Sequence, residues 1–201
     1  AAALPLMRER VARADAVAVG PGLGRSEATS QLVAELWKSL PMPAVFDADA
    51  LWALSQLAPP ALADHAGPRV LTPHAGELQR LLGEPPSRAA AADRPRLEQA
   101  AIALARDAGC AIVFKGADSL ITDGSREARN ETGNPGMATA GTGDVLTGVI
   151  AALLGQGLGP CEAARLGAWV HGAAGDAAAE ARGTVSLTAT DLLARLGSQL
   201  S

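Results

Sequence analysis

An α/β fold, with a mostly parallel central sheet covered by helices on both faces, follows from three features of this 201-residue sequence. Short apolar runs rich in Val, Ile and Phe alternate with helical stretches, the pattern of strands joined by crossover helices. Those runs end in Gly, Asp, His or Lys, which suit turns and chemistry better than a core. The apolar 48% is mainly Ala, Leu and Val, with no Tyr, two Phe and three Trp, so the core is aliphatic. The length fits one domain, residues 1–201.

Residues 5–13 read as a short helix, and 15–19 as a strand ending in the turn Gly20-Pro21-Gly22-Leu23-Gly24. A capped helical pattern runs from Ser26 to about Leu40. The same unit recurs as strand Ala44–Phe46, then Asp47-Ala48-Asp49, with a helix to about Leu57. It recurs again as strand Arg69–Thr72, then Pro73-His74, with a helix through Leu82. A long helix from Arg88 to Ala108 leads through Gly109 into strand Ala111–Phe114, which ends at Lys115-Gly116. Residues 119–122 and 127–131 flank Asp123-Gly124 and predict a hairpin at the sheet edge. After a glycine-rich stretch, Val145, Leu146, Val149, Ile150, Leu153 and Leu154 recur at helical spacing. Closing helices are expected over residues 161–181 and 190–196, and neither a repeat nor a Ser/Gly linker divides the chain.

Composition excludes several function classes. A formal net charge of −4 without a dense Lys/Arg run, and few aromatic rings, argue against a nucleic-acid partner. No apolar stretch is long enough to span a bilayer, and no signal pattern opens the chain, so no membrane partner is expected. Cys110 and Cys161 lack metal-ligand spacing and are expected as buried reduced thiols, which suits a cytoplasmic setting. The first residue is Ala rather than Met, which leaves trimming or an upstream segment open.

The unusual residues fall after strands or at helix starts, where an open α/β sheet places its ligand crevice. Gly141, Thr142 and Gly143 form the candidate anion hole, because glycines allow N–H groups to turn toward a ligand at the positive end of a helix. Asp144 is either the helix N-cap or a reacting carboxylate. Gly20–Gly24 is either a tight turn or part of a site; it does not match G-x-G-x-x-G, and no P-loop occurs. His74 either caps a helix or meets a ligand, and Lys115 either reaches solvent or meets phosphate. Asp47 and Asp49 offer a metal or ribose contact, with Asp49 alternatively a helix cap, whereas His65 is expected in solvent and His171 packed within its helix.

Read together, eight segments resemble the ADP- or ATP-dependent NAD(P)H-hydrate dehydratases of the ribokinase-like superfamily. They are Val19–Gly24, Asp47–Leu51, Leu71–Glu77, Lys115–Ser119, Gly133–Met137, Gly141–Leu146, His171–Asp176 and Thr190–Leu192, in the family's order and across nearly the whole chain. Gly141-Thr-Gly-Asp144 marks the superfamily, whereas Thr72-Pro-His-Ala-Gly-Glu77 with Gly20-Pro-Gly-Leu-Gly24 points to the dehydratases.

The resemblance implies a ribokinase-like three-layer fold and repair of hydrated NADH or NADPH. A nucleotide would phosphorylate the hydroxyl that water left on the nicotinamide ring, and loss of phosphate would restore the coenzyme. Gly22, His74 and Asp144 would contact the hydrated coenzyme, with Asp144 as general base. Lys115, Gly116, Ala117, Asp118, Ser119 and Gly143 would hold ATP or ADP, with Mg²⁺ offsetting its charge through ligands the sequence does not identify. A homo-oligomer is expected. Two departures accompany the resemblance: Ala140 stands where the family usually has Gly, and family members carry further elements before the first glycine turn. Loss of N-terminal elements, including a small-residue segment of the substrate site, is therefore expected, and no epimerase segment is apparent. The alternatives are a ribokinase-like kinase for a hydroxymethylpyrimidine or hydroxyethylthiazole, and a non-catalytic nucleotide-binding domain.

Overall fold

The computed structural model describes residues 11, 13–57, 59–87 and 93–200. The helix expected over residues 5–13 falls largely outside them, as does the start of the one expected from Arg88. The chain forms β1 (Val17–Val19), α1 (Glu27–Ser39), β2 (Ala44–Phe46), α2 (Asp49–Leu54), β3 (Arg69–Leu71), α3 (Ala75–Leu81), α4 (Arg94–Ala108) and β4 (Ala111–Phe114). The hairpin β5 (Ser119–Thr122) and β6 (Glu127–Asn130) follows, then α5 (Thr142–Gly155), α6 (Pro160–Arg182) and α7 (Ala189–Leu193).

The six strands lie in sequence order, β1-β2-β3-β4-β5-β6. The first four are parallel, and β5 and β6 add the antiparallel edge. Strand periodicity sorts side chains between two layers. Ala44, Phe46, Leu71, Ile112 and Phe114 face the layer that includes α1 and α4, and Val45, Val70, Ala111 and Val113 face α5 and α6. Both faces are covered, so the strands read as continuous apolar runs. The register Val19–Phe46–Leu71 puts the turns after β1, β2 and β3 side by side. That alignment builds the crevice.

Local signals fix the ends. Ser26 caps α1 by accepting from Thr29 N at 3.1 Å, and Gly109 ends α4 in the left-handed region. Some boundaries differ from expectation: α2 stops at Leu54, Thr72 lies beyond β3, and residues 196–199 form a 3₁₀ turn after α7. His65, expected in solvent, is half-buried, with Nδ1 2.8 Å from Gly67 O, Nε2 2.9 Å from Ala108 O, and its ring edge-on to Trp37 at 5.2 Å. Cys110 and Cys161 are both free and buried, and burial pushes the Cys110 thiol up to about 12.

At the opposite end of the sheet from the crevice, Arg69 is fully buried. Its guanidinium donates to Trp37 O at 2.7 Å and Leu40 O at 2.6 Å, carbonyls at the end of α1, and to Met42 O and Pro68 O at 3.1 Å. A cation there meets the negative end of the helix and satisfies carbonyls that the helix leaves open. Burial lowers the Arg69 pKa to about 10, so it remains charged. Arg69→Met should lower unfolding free energy by about 3 kcal/mol or more, because buried carbonyls lose their donors. Urea denaturation checks this. A change under about 1 kcal/mol would mean that water or repacking satisfies those carbonyls as well.

Candidate active site

Asp47, directly after β2, is the buried centre of the crevice. Its Oδ1 accepts from Lys115 Nζ at 2.8 Å and its Oδ2 from Thr147 Oγ1 at 2.8 Å, which joins the ends of β2 and β4 to helix α5. Backbone contacts add to this: Asp47 N donates to Val19 O at 3.0 Å, and a Cβ at Gly20 would lie 1.8 Å from Asp47 O. Only glycine fits there. The rest of the first turn is held by Asp49, which accepts from Gly24 N at 3.0 Å and Arg25 Nε at 2.9 Å. Asp49 is therefore a loop tie within the first turn of α2; the cap position belongs to Ala48, at φ 51°. Gly22 sits exposed in that loop.

His74 caps α3. Its Nδ1 accepts from Gly76 N at 3.1 Å and Glu77 N at 3.4 Å, while Glu77 Oε2 accepts from His74 N at 2.9 Å. An accepting Nδ1 assigns the ring proton to Nε2, which lies 3.5 Å from Glu77 Oε1. Burial lowers the His74 pKa, Lys115 and Arg80 add to that, and Glu77 opposes it. Glu77 Oε2 is also 3.7 Å from Lys115 Nζ, so the ammonium stands between two carboxylates. It does not reach for solvent.

Beyond Lys115 the chain turns back on itself. Gly116 N donates to Ser119 Oγ at 3.2 Å, Ser119 Oγ donates to Gly116 O at 2.9 Å, and Arg94 of α4 donates to Asp118 O at 3.2 Å. The Arg94 guanidinium stacks on Phe114 at 4.7 Å and fills the space a Gly116 side chain would need. A cleft of about 660 Å³ opens here, lined by His74, Lys115–Ser119, Asn130–Pro135, Thr142, Gly143 and His171 among others.

One face of α6 clamps the far wall of the cleft. His171 Nε2 donates to Thr142 O at 2.8 Å, and Asp176 accepts from Gly133 N at 2.8 Å and Asn134 Nδ2 at 2.9 Å. Between them, Gly172 and Gly175 let Thr132 and Met137 approach the helix, since a Cβ at either would lie about 2 Å from Thr132 Oγ1 (2.1 Å) or Met137 Sδ (2.2 Å). His171 is thus a loop anchor as well as a packed ring.

Helix α5 begins against that wall. Its N-cap is Gly141 at φ 88°, with no capping side chain, so the first-turn N–H groups are left for a ligand. Thr142 Oγ1 lies 2.8 Å from Met137 O and 2.9 Å from Thr139 O, which pins the turn. Asp144 is the third helical residue rather than the cap. It is exposed, without a hydrogen-bond partner among the described residues, and lines a second, apolar hollow of about 560 Å³ with Val145, Gly148, Val149, Ala189 and Leu193. The structure thus gathers His74, Lys115–Ser119, Thr142 and Gly143 around one cleft, puts Gly141 and Asp144 on the adjoining hollow, and leaves Gly22 outside both linings. Thr147 and Arg94 escaped the sequence reading; the first could have been found at helical spacing from Gly143.

The sequence matches the family described as NAD(P)H-hydrate dehydratase over residues 2–197. The chain belongs to that family. It is 53% identical over 193 residues to the bifunctional NAD(P)H-hydrate repair enzyme Nnr of Moorella thermoacetica, covering 95% of this chain and 35% of that protein. The Escherichia coli enzyme of the same name is 40% identical over 192 residues, covering 94% and 35%. The chain therefore spans about a third of the length of these curated relatives. Among solved structures, the Bacillus subtilis ADP/ATP-dependent NAD(P)H-hydrate dehydratase co-crystallised with ATP/Mg²⁺ is 30% identical, with TM-score 0.79 over 92% of this chain and 64% of that one. A ribokinase-like superfamily protein from Enterococcus faecalis is 29% identical, with TM-score 0.73 over 98% and 66%. The hydroxyethylthiazole kinase of Pyrococcus horikoshii, at 20% identity and TM-score 0.72 over 98% and 74%, shares the fold. The ribokinase-like expectation for this dehydratase-family chain holds.

Two expectations follow from the geometry. Gly172→Ala should destabilise by about 1–3 kcal/mol through overpacking, whereas Gly148→Ala, with nothing within 4 Å of its Cβ, should gain about 0.5–1 kcal/mol of helix stability. Paired urea titrations check the contrast; equal effects would refute the clamp. Burial, with Lys115 adding, holds His171 below its ordinary value near 6.5, although the bond to Thr142 opposes the shift. The unfolded imidazole then binds more protons than the folded one. Stability from this group is full above about pH 6.5 and is lost as pH falls below it; His74 acts with the same sign. The drop in urea midpoint between about pH 7.5 and about pH 5.5 should shrink in His171→Gln. An unchanged drop would contradict this account.

Proposed function

We propose that this chain carries the nucleotide-dependent dehydration of hydrated NADH or NADPH. The observation that carries the reading is the meeting of the Lys115–Ser119 cleft with the uncapped start of α5, beside the Asp144 carboxylate, which has no hydrogen-bond partner among the described residues. An adenine nucleotide would occupy the cleft, its transferred phosphoryl group facing the N–H groups of Thr142 to Asp144 and the Lys115 ammonium. Asp144 would take the proton from the ring hydroxyl as that oxygen attacks phosphorus and the shortened nucleotide leaves; loss of phosphate, together with a proton from the neighbouring ring carbon, would then restore the reduced ring. His74 and Gly22 would contact the hydrated coenzyme. His74 can do so only through Nε2, because Nδ1 is engaged in the cap.

Mg²⁺ fits this site as a nucleotide-borne ion. Among the described residues no group of three or more His, Cys, Asp or Glu could hold a metal, and Asp47 and Glu77 already face Lys115. Phosphate oxygens and water would supply most ligands, and the ion would offset phosphate charge. The partners in this reading are the hydrated coenzyme, ATP or ADP, and further copies of the chain. A cytoplasmic setting accords with the two free thiols. No described helix is long and apolar enough to cross a membrane.

The test follows reduced-nicotinamide absorbance as the protein meets hydrated NADH. Recovery should require ATP or ADP with Mg²⁺, and Asp144→Asn should slow it about 10²–10⁴-fold. Its stability should change by less than about 1 kcal/mol, the value of an exposed charge in a first helical turn. Recovery at the same rate without nucleotide would sink the mechanism. Phosphorylation of a pyrimidine or thiazole alcohol instead would make the chain a vitamin-precursor kinase.

A further inference from the structure

Lys115 presents a problem that its neighbours answer. A lysine ammonium is a point charge on a flexible stem and selects no position unless something fixes it. Here it has two candidate anchors. Glu77 is the weaker, at 3.7 Å, with its Oε2 already receiving His74 N at 2.9 Å. Asp47 is closer, at 2.8 Å, and its side chain is only 2% exposed. A carboxylate held through one oxygen could still swing. The second oxygen of Asp47 is taken by Thr147 Oγ1 at 2.8 Å, from one turn along the helix whose start forms the candidate anion hole. Gly143 closes the arrangement: a Cβ there would lie 3.5 Å from Lys115 Nζ and 3.7 Å from Asp47 Oδ2.

We propose that Thr147 is a positioning residue of the nucleotide subsite, acting through Asp47 to set where the Lys115 ammonium stands relative to the first turn of α5. This deepens the reading above and rests on its nucleotide site. Thr147 is buried and does not line the cleft, so it acts through another group. Its hydroxyl also lies 3.0 Å from Gly143 O, yet the charged acceptor makes the stronger bond. Removing that hydroxyl leaves Asp47 Oδ2 with a buried charge and one cation to satisfy it. The carboxylate then holds the ammonium more tightly and draws it from the cleft, so a phosphate loses its positive neighbour while the coenzyme side is untouched.

The experiment measures binding of ADP with Mg²⁺ by calorimetry, and the Michaelis constants for nucleotide and hydrated coenzyme, in Thr147→Val and Thr147→Ser. Valine should weaken ADP binding about tenfold, the scale of one lost bond to a charged group, and raise only the nucleotide constant. Serine, which keeps the hydroxyl, should restore both to within about twofold. ADP binding unchanged in the valine variant overturns the proposal. So does a valine variant that weakens both ligands alike, or a serine variant no better than valine. The binding series is read without turnover, so a protein that binds ADP but never regenerates NADH defeats the dehydratase reading while the series still decides the role of Thr147.

Discussion

The carboxyl end of the sheet depends on Asp47. Its backbone carries the β1–β2 ladder one step past the strands through Val19 O, and its carbonyl receives Ala50 N at the start of α2. Its side chain then reaches across 68 residues to Lys115 and 100 residues to Thr147. Three strand-end turns and the helix with the open N-terminus are thereby referred to one buried carboxylate. An isolated charge in that position would be unfavourable by several kcal/mol, and the ammonium and hydroxyl on separate oxygens offset it. Such a pair adds little net stability over an apolar replacement, so its value lies in fixing geometry. Gly20 follows from the same constraint, since the Asp47 carbonyl occupies the space of its missing side chain.

The second constraint comes from the other side of the cleft. The 132–142 wall has little regular structure of its own, only the short Pro135–Met137 turn, and its polar backbone groups need partners. Helix α6 supplies them over six residues: a carboxylate for Gly133 and Asn134, an imidazole N–H for Thr142, and two bare glycine surfaces for Thr132 and Met137. The run His171-Gly-Ala-Ala-Gly-Asp176 has the spacing of one helix face read twice. Its chemistry is support, which agrees with expecting His171 to pack rather than react.

What could be read from sequence, and what could not, divides along the range of the interactions. The strands were plain because both faces are buried and the runs are therefore continuous, as in Ala111–Phe114. That the special residues cluster at strand ends was also plain, since parallel topology brings those ends together. The dual nature of His74 was half seen: it is a cap, and it also borders the cleft. Thr147 was half legible: its spacing from Gly143 puts the two on one face of α5, but a threonine within an apolar helix carries no local sign that its partner lies 100 residues away. His65 misled for a similar reason: one of its carbonyl partners, Ala108 O, lies 43 residues away at the end of α4, and Trp37 packs edge-on to its ring.

The register of α5 explains how one short loop can offer both an anion site and a free acid. Successive helical residues are about 100° apart, and positions four apart share a face. Gly143 and Thr147 form one such pair, set over Asp47 and Lys115; Asp144 and Gly148 form the next, facing the apolar hollow. A slip of one residue would turn Asp144 toward Asp47, where a second carboxylate would compete for Lys115 and repel the first. It would also face a phosphate with negative charge. What prevents the slip is the turn itself: Gly141 takes a left-handed conformation that disfavours other residues, and Thr142 is pinned through its hydroxyl to the wall that α6 holds and through its carbonyl to His171 of α6. The open carboxylate and the open N–H groups are therefore neighbours without being opponents, an arrangement that follows from helical spacing once the glycine has fixed where the helix begins.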